Sequence, residues 1–232
     1  MKDLWFPKRW PAIHPEHIQL YSLATPNGQK ISIALEELNI AYDAHLINIT
    51  ENDQFDEDYL KLSPNGKIPT LSDPNGPNGK QTLLMESGAI LLYLAEKEGQ
   101  LIPIDPQEKL ECIQWLFFQA AHVGPMFGQF GHFFKYAVDK TTDEYGITRY
   151  LAETKRLLAI LDKRLAGRDF IMGKQYTIAD IAICPWIDCL EGFYEAKEVL
   201  EITANYRNIS IWRSKVTSRP AYQRGAKVCS LN

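Results

Sequence analysis

The sequence predicts an α/β unit followed by an all-helical one, and three observations carry that expectation. Strand and helix signals alternate over residues 17 to 98 in the order βαβ, α, ββα. Everything after about Asp105 has helical periodicity alone, and Gly99, Pro103 and Pro106 interrupt the pattern between the two stretches. The expected boundaries are an N-terminal arm over 1 to 16, an α/β domain over 17 to 98 and a helical domain over 105 to 228.

The arm is rich in proline and aromatics and has no regular period. It reads either as a strap on the surface or as an aromatic lid bearing Trp5, Phe6 and Trp10. Ile18 to Ser22 is then a short strand, and Thr25-Pro26-Asn27-Gly28 is a turn that opens a helix with apolar Ile31, Ala34, Leu35 and Leu38. Ala44 to Ile49 reads as a second strand and Phe55 to Leu62 as a short helix. Lys67 to Leu71 and Thr82 to Met85 make two more strands, joined by the turn-rich Asp73 to Lys80, and a helix from Ser87 to Lys97 closes the unit.

In the second half, Asp105 caps a helix with Pro106 at its first position and is expected to carry it to Gly124-Pro125. Leucines at 151, 157, 158, 161 and 165 mark a helix from Tyr150 to Leu165 that stops before Gly167. Thr177 and Asp180 form a capping box, with Tyr176 and Ile181 in the staple positions.

Composition narrows the function. The chain has 232 residues, 45% apolar and 23% charged, which is globular and large enough for a core. Its 25 basic and 29 acidic residues give a net charge of −4 without charge runs, against a nucleic-acid or anionic-membrane surface. The longest apolar run, Ala89 to Ala95, is about a third of the roughly 20 residues a membrane span needs. The first residues, MKDLWFPKRWP, carry an acid and two prolines where an export signal is apolar, so a cytoplasmic protein is expected. Cys112, Cys184, Cys189 and Cys229 have no CxxC spacing and read as free thiols of a reducing compartment.

Several motifs fail on spacing. Gly76-Pro77-Asn78-Gly79-Lys80 lacks both the glycine interval and the hydroxyl of a phosphate loop. His14, His17, His45, His122 and His132 offer no pair at helical ligand spacing, and no metal site is expected. Three helix or strand starts remain. Thr25 to Gly28 places free N–H groups where an anion could sit, although by position alone a plain capped turn is the commoner reading. Ile68-Pro69 is a candidate cis bond at a strand start, and Glu86-Ser87-Gly88 brings an acid and a hydroxyl to a helix start.

Taken in order, Leu20-Tyr21-Ser22, Thr25 to Lys30, Asp53-Gln54-Phe55, Asn65 to Pro69, Glu86 to Ala95 and Tyr176 to Asp180 resemble the nu-class bacterial glutathione transferases, over nearly the whole chain from about His17. The resemblance implies a thioredoxin-like N-terminal domain, a helical C-terminal glutathione transferase domain and a homodimer. It implies glutathione as co-substrate, one or two per subunit, with Thr25 and Asn27 donating to its thiolate in place of the Cys-Pro-x-Cys of glutaredoxin-like relatives. Ile68, next to Pro69, pairs with the cysteinyl peptide, Glu86 and Ser87 take the γ-glutamyl end, and Gln54, Lys67 and Arg149 meet the remaining polar groups. Phe127, Phe130, His132 and Phe133, between glycines, read either as the wall of a second-substrate pocket or as core. The implied activity is reduction of small-molecule or protein disulfides. Conjugation of electrophiles, peroxide reduction and a non-catalytic glutathione-binding regulator stand as alternatives.

Overall fold

A computed structural model describes residues 4–142 and 144–231; positions 1–3 of the expected arm lie outside the described residues. The chain forms two compact units, one of residues up to Glu98 together with those from Pro220 onward, the other Gly99–Arg219.

The first unit is built on a mixed four-stranded sheet. β1 (Ile18–Ser22) runs parallel to β2 (Tyr42–Leu46) and antiparallel to β3 (Thr70–Asp73), which pairs antiparallel with β4 (Thr82–Met85), in the order β2-β1-β3-β4. Every residue of the central β1 is buried, as expected of a strand with a neighbour on each side. The helices α1 (Pro26–Glu37), α2 (Glu57–Leu62) and α3 (Ser87–Glu98) complete the βαβ-α-ββα order.

The arm is a strap. Trp5 N–H donates to Gln81 Oε1 at 2.8 Å and Gln81 Nε2 donates back to Trp5 O at 2.7 Å, an amide acting as one residue of a ladder. Trp5 and Trp10 pack against the buried cluster of Tyr21, Ile47, Tyr59 and Leu62. Buried Asp43, on β2, fastens the end of the arm. Its Oδ2 accepts the N–H groups of Ile13 and His14 at 2.8 and 2.6 Å, and its Oδ1 lies 2.8 Å from His14 Nδ1. His17 Nδ1 is 3.7 Å from the same oxygen, so His14 and His17, three positions apart in the arm, converge on Asp43 of β2.

The helical unit contains α4 (Pro106–Phe118), α5 (Gly124–Gly131), α6 (Tyr145–Leu165), α7 (Ile178–Asp188), α8 (Ile202–Asn205) and α9 (Arg207–Thr217). α7 is its axis, buried from Ile178 to Ile187. The capping box at Thr177 and Asp180 forms, and Asp180 Oδ1 also accepts Ile171 N–H and Trp212 Nε1, both at 2.8 Å. The stop expected at Gly124-Pro125 does not occur. A π turn at 119–123, closed by Gly124 N–H to Gln119 O, widens the helix just before the proline, and the helical run continues through a second π turn at 132–136. Among the described residues no helix is long and apolar enough to cross a membrane.

The domain boundary expected at 228 needs correction, because the last helix, α10 (Pro220–Gly225), belongs to the first unit. It lies against α1 so closely that a Cβ on Gly225 would stand 2.6 Å from both Ile33 N and Ile33 Cα. Arg224 Nε pairs with Glu36 at 2.6 Å and Gln29 Nε2 donates to Ala226 O at 3.0 Å. Periodicity identifies a helix but says nothing of which neighbour it packs on.

Candidate active site

The site grows from the turn after β1. Thr25 is the N-cap of α1, in extended conformation, with Oγ1 accepting Gly28 N–H at a long 3.4 Å, and Pro26 occupies the first helical position. Gly28 is obligatory here: a Cβ would lie 1.9 Å from Leu23 O and 2.4 Å from Ser22 Oγ, so the first turn of the helix is pressed onto the end of the strand. Asn27 stands in that same turn. It lines a cleft of ≈ 230 Å³ together with Ser63, Asn65, Lys67, Ile68, Pro69, Met85, Glu86 and Ser87.

The opposite wall is equally determined. Tyr59 Oη and Ser63 Oγ both donate to Lys67 O at 2.8 Å, and Lys67 N–H donates back to Ser63 Oγ at 3.1 Å, which holds the chain ahead of Ile68. The Ile68-Pro69 bond is cis, as the motif suggested. Glu86 sits at φ 69°, a left-handed conformation uncommon for a side chain of its size, and turns the chain from β4 into α3. Backbone strain of this kind collects at sites where a side chain must face one direction.

The structure adds one residue that sequence reasoning missed. Lys30 is 1% exposed, and its Nζ donates to Asn27 Oδ1 at 2.8 Å and to Ser87 Oγ at 3.2 Å. Burial pushes its ammonium down to about 7, while the charge of Glu86 pulls the other way. A lysine on the inner face of an amphipathic helix carries no motif of its own.

Six of the expected residues, Asn27, Lys67, Ile68, Pro69, Glu86 and Ser87, therefore share one cleft. Thr25 caps the same helix two residues earlier. Gln54 does not line the cleft; it is half-buried in a short 3-10 turn, and its Oε1 is buried with no hydrogen-bond partner. Arg149 belongs to the helical unit, on α6, where it lies 3.9 Å from Glu153. The four residues of the expected aromatic segment differ in burial, two of them taking the core alternative. Phe127 and Phe130, on α5, are fully buried core, whereas His132 is exposed and Phe133 stacks on Tyr150 at 5.6 Å. None of the four cysteines is in a disulfide; Cys112, Cys184 and Cys189 are buried and Cys229 is half-buried.

A β2-β1-β3-β4 sheet with a capped turn and a cis proline on one cleft, in a chain that continues as helices, defines a thioredoxin-like fold joined to an all-helical domain. Residues 24–97 match the family model for the glutathione S-transferase N-terminal domain, and residues 119–220 match that for the C-terminal domain. The disulfide-bond oxidoreductase YghU of Escherichia coli is 44% identical over 94% of this chain and 76% of its own length. The disulfide-bond oxidoreductase YfcG of the same organism is 40% identical over 88% and 92%. Among solved structures, a glutathione transferase from Burkholderia graminis with two glutathione molecules bound per subunit superposes with a TM-score of 0.93 at 51% identity, covering 95% of this chain and 91% of that one. The chain belongs to the glutathione S-transferase family.

Proposed function

We propose that the protein is a nu-class enzyme that reduces disulfides with glutathione, the thiolate of the bound tripeptide standing in for protein cysteines. The observation that carries this reading is a capped helix N-terminus, Thr25 to Gly28, beside a cleft that no cysteine lines among the described residues. The naming of YghU and YfcG as disulfide-bond oxidoreductases supports it.

The donor set suits glutathione. Glu86 and Ser87 offer a carboxylate and a hydroxyl to an α-amino acid end, Lys67 a point charge to a carboxylate, and Ile68 a backbone edge beside Pro69 to a peptide. Gln54, with its orphaned oxygen, and Arg149 are assigned to the outer polar groups. Thr25 and Asn27 take the thiol. A free thiol near pKa 8.5 is only a few per cent ionised at neutral pH, and lowering it by about two units requires roughly 2.7 kcal/mol. Two hydrogen bonds to an ion, at about 1.5 to 3 kcal/mol each, supply that with help from the helix N-terminus.

The chemistry that bound glutathione supplies is thiol–disulfide exchange: its thiolate forms a bond to one substrate sulfur as the S–S bond breaks, the released thiolate takes a proton, and a second glutathione converts the mixed disulfide to glutathione disulfide. The protein's residues hold the first sulfur ionised and the tripeptide in register. A solved relative from Pseudomonas putida with glutathione disulfide bound, 46% identical, fits a site of this capacity. We assign the working form to a homodimer in the cytoplasm, with one or two glutathiones per subunit.

Initial rates with glutathione and a small disulfide, measured beside rates with glutathione and an aromatic chloride, test the reading. Reductase turnover should exceed conjugation. Conjugation in excess would make the protein a conjugating transferase, and binding without either activity would make it a regulatory module.

A further inference from the structure

Lys30 links two residues that enter the cleft from different parts of the fold. Asn27 stands in the first turn of α1 and Ser87 in the first turn of α3, and the lysine between them is 57 positions from the serine. We propose that Lys30 is a positioning residue of the site, holding the Asn27 amide and the Ser87 hydroxyl in the orientations that glutathione needs. The inference rests on the glutathione reading of the cleft and deepens it.

The chemistry of an ammonium makes the argument. In its charged form, which the nearby Glu86 favours, it has three donors and no acceptor, so whatever then faces it must accept. On Asn27 the accepting atom is Oδ1, at 2.8 Å, and because the amide is planar this sets Nδ2, the donating end, on the other branch. A thiolate can use only that end. On Ser87 the accepting atom is Oγ, at 3.2 Å, so the single hydroxyl proton is directed elsewhere, to a ligand carboxylate. Donation into the amide oxygen also polarises the amide and strengthens its N–H groups as donors. One buried cation thus orients the group for the sulfur and the group for the γ-glutamyl end together.

The alternative is a strut that only holds α1 against α3. Both roles allow a loss of stability, since removing Lys30 takes a donor from two acceptors at once; only the positioning role moves the titration of the bound thiol and the KM for glutathione in protein that remains folded. A residue that costs stability to bury and sits beneath a cleft is better explained by what it does there.

The test compares wild type, Lys30→Met and Lys30→Gln for unfolding midpoint, for the pH titration of the bound glutathione thiolate by its ultraviolet absorbance, and for KM and kcat in disulfide reduction. In the folded fraction, Lys30→Met is expected to shift the bound thiol's titration upward by about one unit, a tenfold loss of thiolate below that pKa, and to raise KM for glutathione severalfold, whatever its unfolding midpoint. Lys30→Gln, a neutral donor, is expected to recover part of the thiol shift through Asn27, and it carries the comparison if the methionine variant does not fold. Folded variants with the wild-type titration and KM would overturn the proposal. Absence of any thiolate signal in the wild type would instead remove the glutathione reading, and the role of Lys30 with it.

Discussion

Ser32 Oγ donates a 2.7 Å hydrogen bond to the carbonyl of Gly225, joining α1 to the last helix across 193 positions of the chain. The same glycine lies against the Ile33 backbone, and Ala24 N–H donates to Cys229 O at 3.0 Å one segment further on. The chain end thereby braces both ends of the helix that carries the site.

Gly225→Ala is expected to destabilise by overpacking, since the new methyl would meet backbone at 2.6 Å and not a side chain able to swing away. The loss should be about 1–3 kcal/mol, seen as a fall in Tm by thermal unfolding. An unchanged Tm would show that α10 is free to move off α1.

The clasp of the arm is expected to depend on pH. Burial raises the Asp43 carboxyl, but the donors of His14, Gln19 and Ile13 outweigh it and bring it down to about 2 from an ordinary 3.8. Its contribution is present above about pH 4 and is lost as pH falls toward 2. The hydrogen bond to Asp43 raises His14 above 6.5, so its share is complete below 6.5 and is lost as pH rises through the raised value. Amide exchange at Ile13 and His14, corrected for intrinsic rate, should therefore be slowest between about pH 4 and 6.5. Asp43→Asn should abolish that window; a window that survives would place the fastening elsewhere.

Asn27→Ala is expected to cost more activity than Thr25→Ala. The Asn27 amide is fixed by Lys30, whereas a missing hydroxyl at Thr25 can be replaced by water. Loss of a hydrogen bond to an ion, about 1.5 to 3 kcal/mol, corresponds to roughly 10- to 100-fold in kcat/KM for Asn27→Ala. Thr25→Ala should also lower stability by about 1 kcal/mol through the lost cap. Equal and negligible effects on reductase turnover would remove this turn from the mechanism.

How far the fold was legible can be read from the strands. β1 and β4 lie where alternation and flanking turns put them, at Ile18–Ser22 and Thr82–Met85. β2, expected over Ala44 to Ile49, starts earlier, at Tyr42, because it is in parallel register with β1 from Ile18, and the chain then leaves the sheet for a 3-10 turn at Ile49–Glu51. β3, expected from Lys67, starts at Thr70, because Tyr59 and Ser63 hold Lys67 out of the ladder. α6 begins at Tyr145, ahead of its first leucine. Local pattern locates elements; register and capture by distant side chains set their ends. The same division holds in the site. The residues of the Thr25, Ile68 and Glu86 turns carry motifs that a sequence shows, while Lys30 is recognisable only once α1 and α3 are side by side.

In the proposed mechanism the attacking sulfur belongs to glutathione. Burial raises Cys112, and pushes Cys189 and Cys229 up to about 11, so these thiols are protonated at neutral pH. None of the four cysteines lines the cleft. The most direct measurement is the rate of small-disulfide reduction by a variant in which Cys112, Cys184, Cys189 and Cys229 are all replaced by Ala, corrected for the folded fraction, since each truncation costs on the order of 1 kcal/mol of stability. The folded variant should keep turnover within a few-fold of wild type. A loss of about 100-fold, equivalent to roughly 2.7 kcal/mol of barrier, would mean that a protein thiol carries the reaction.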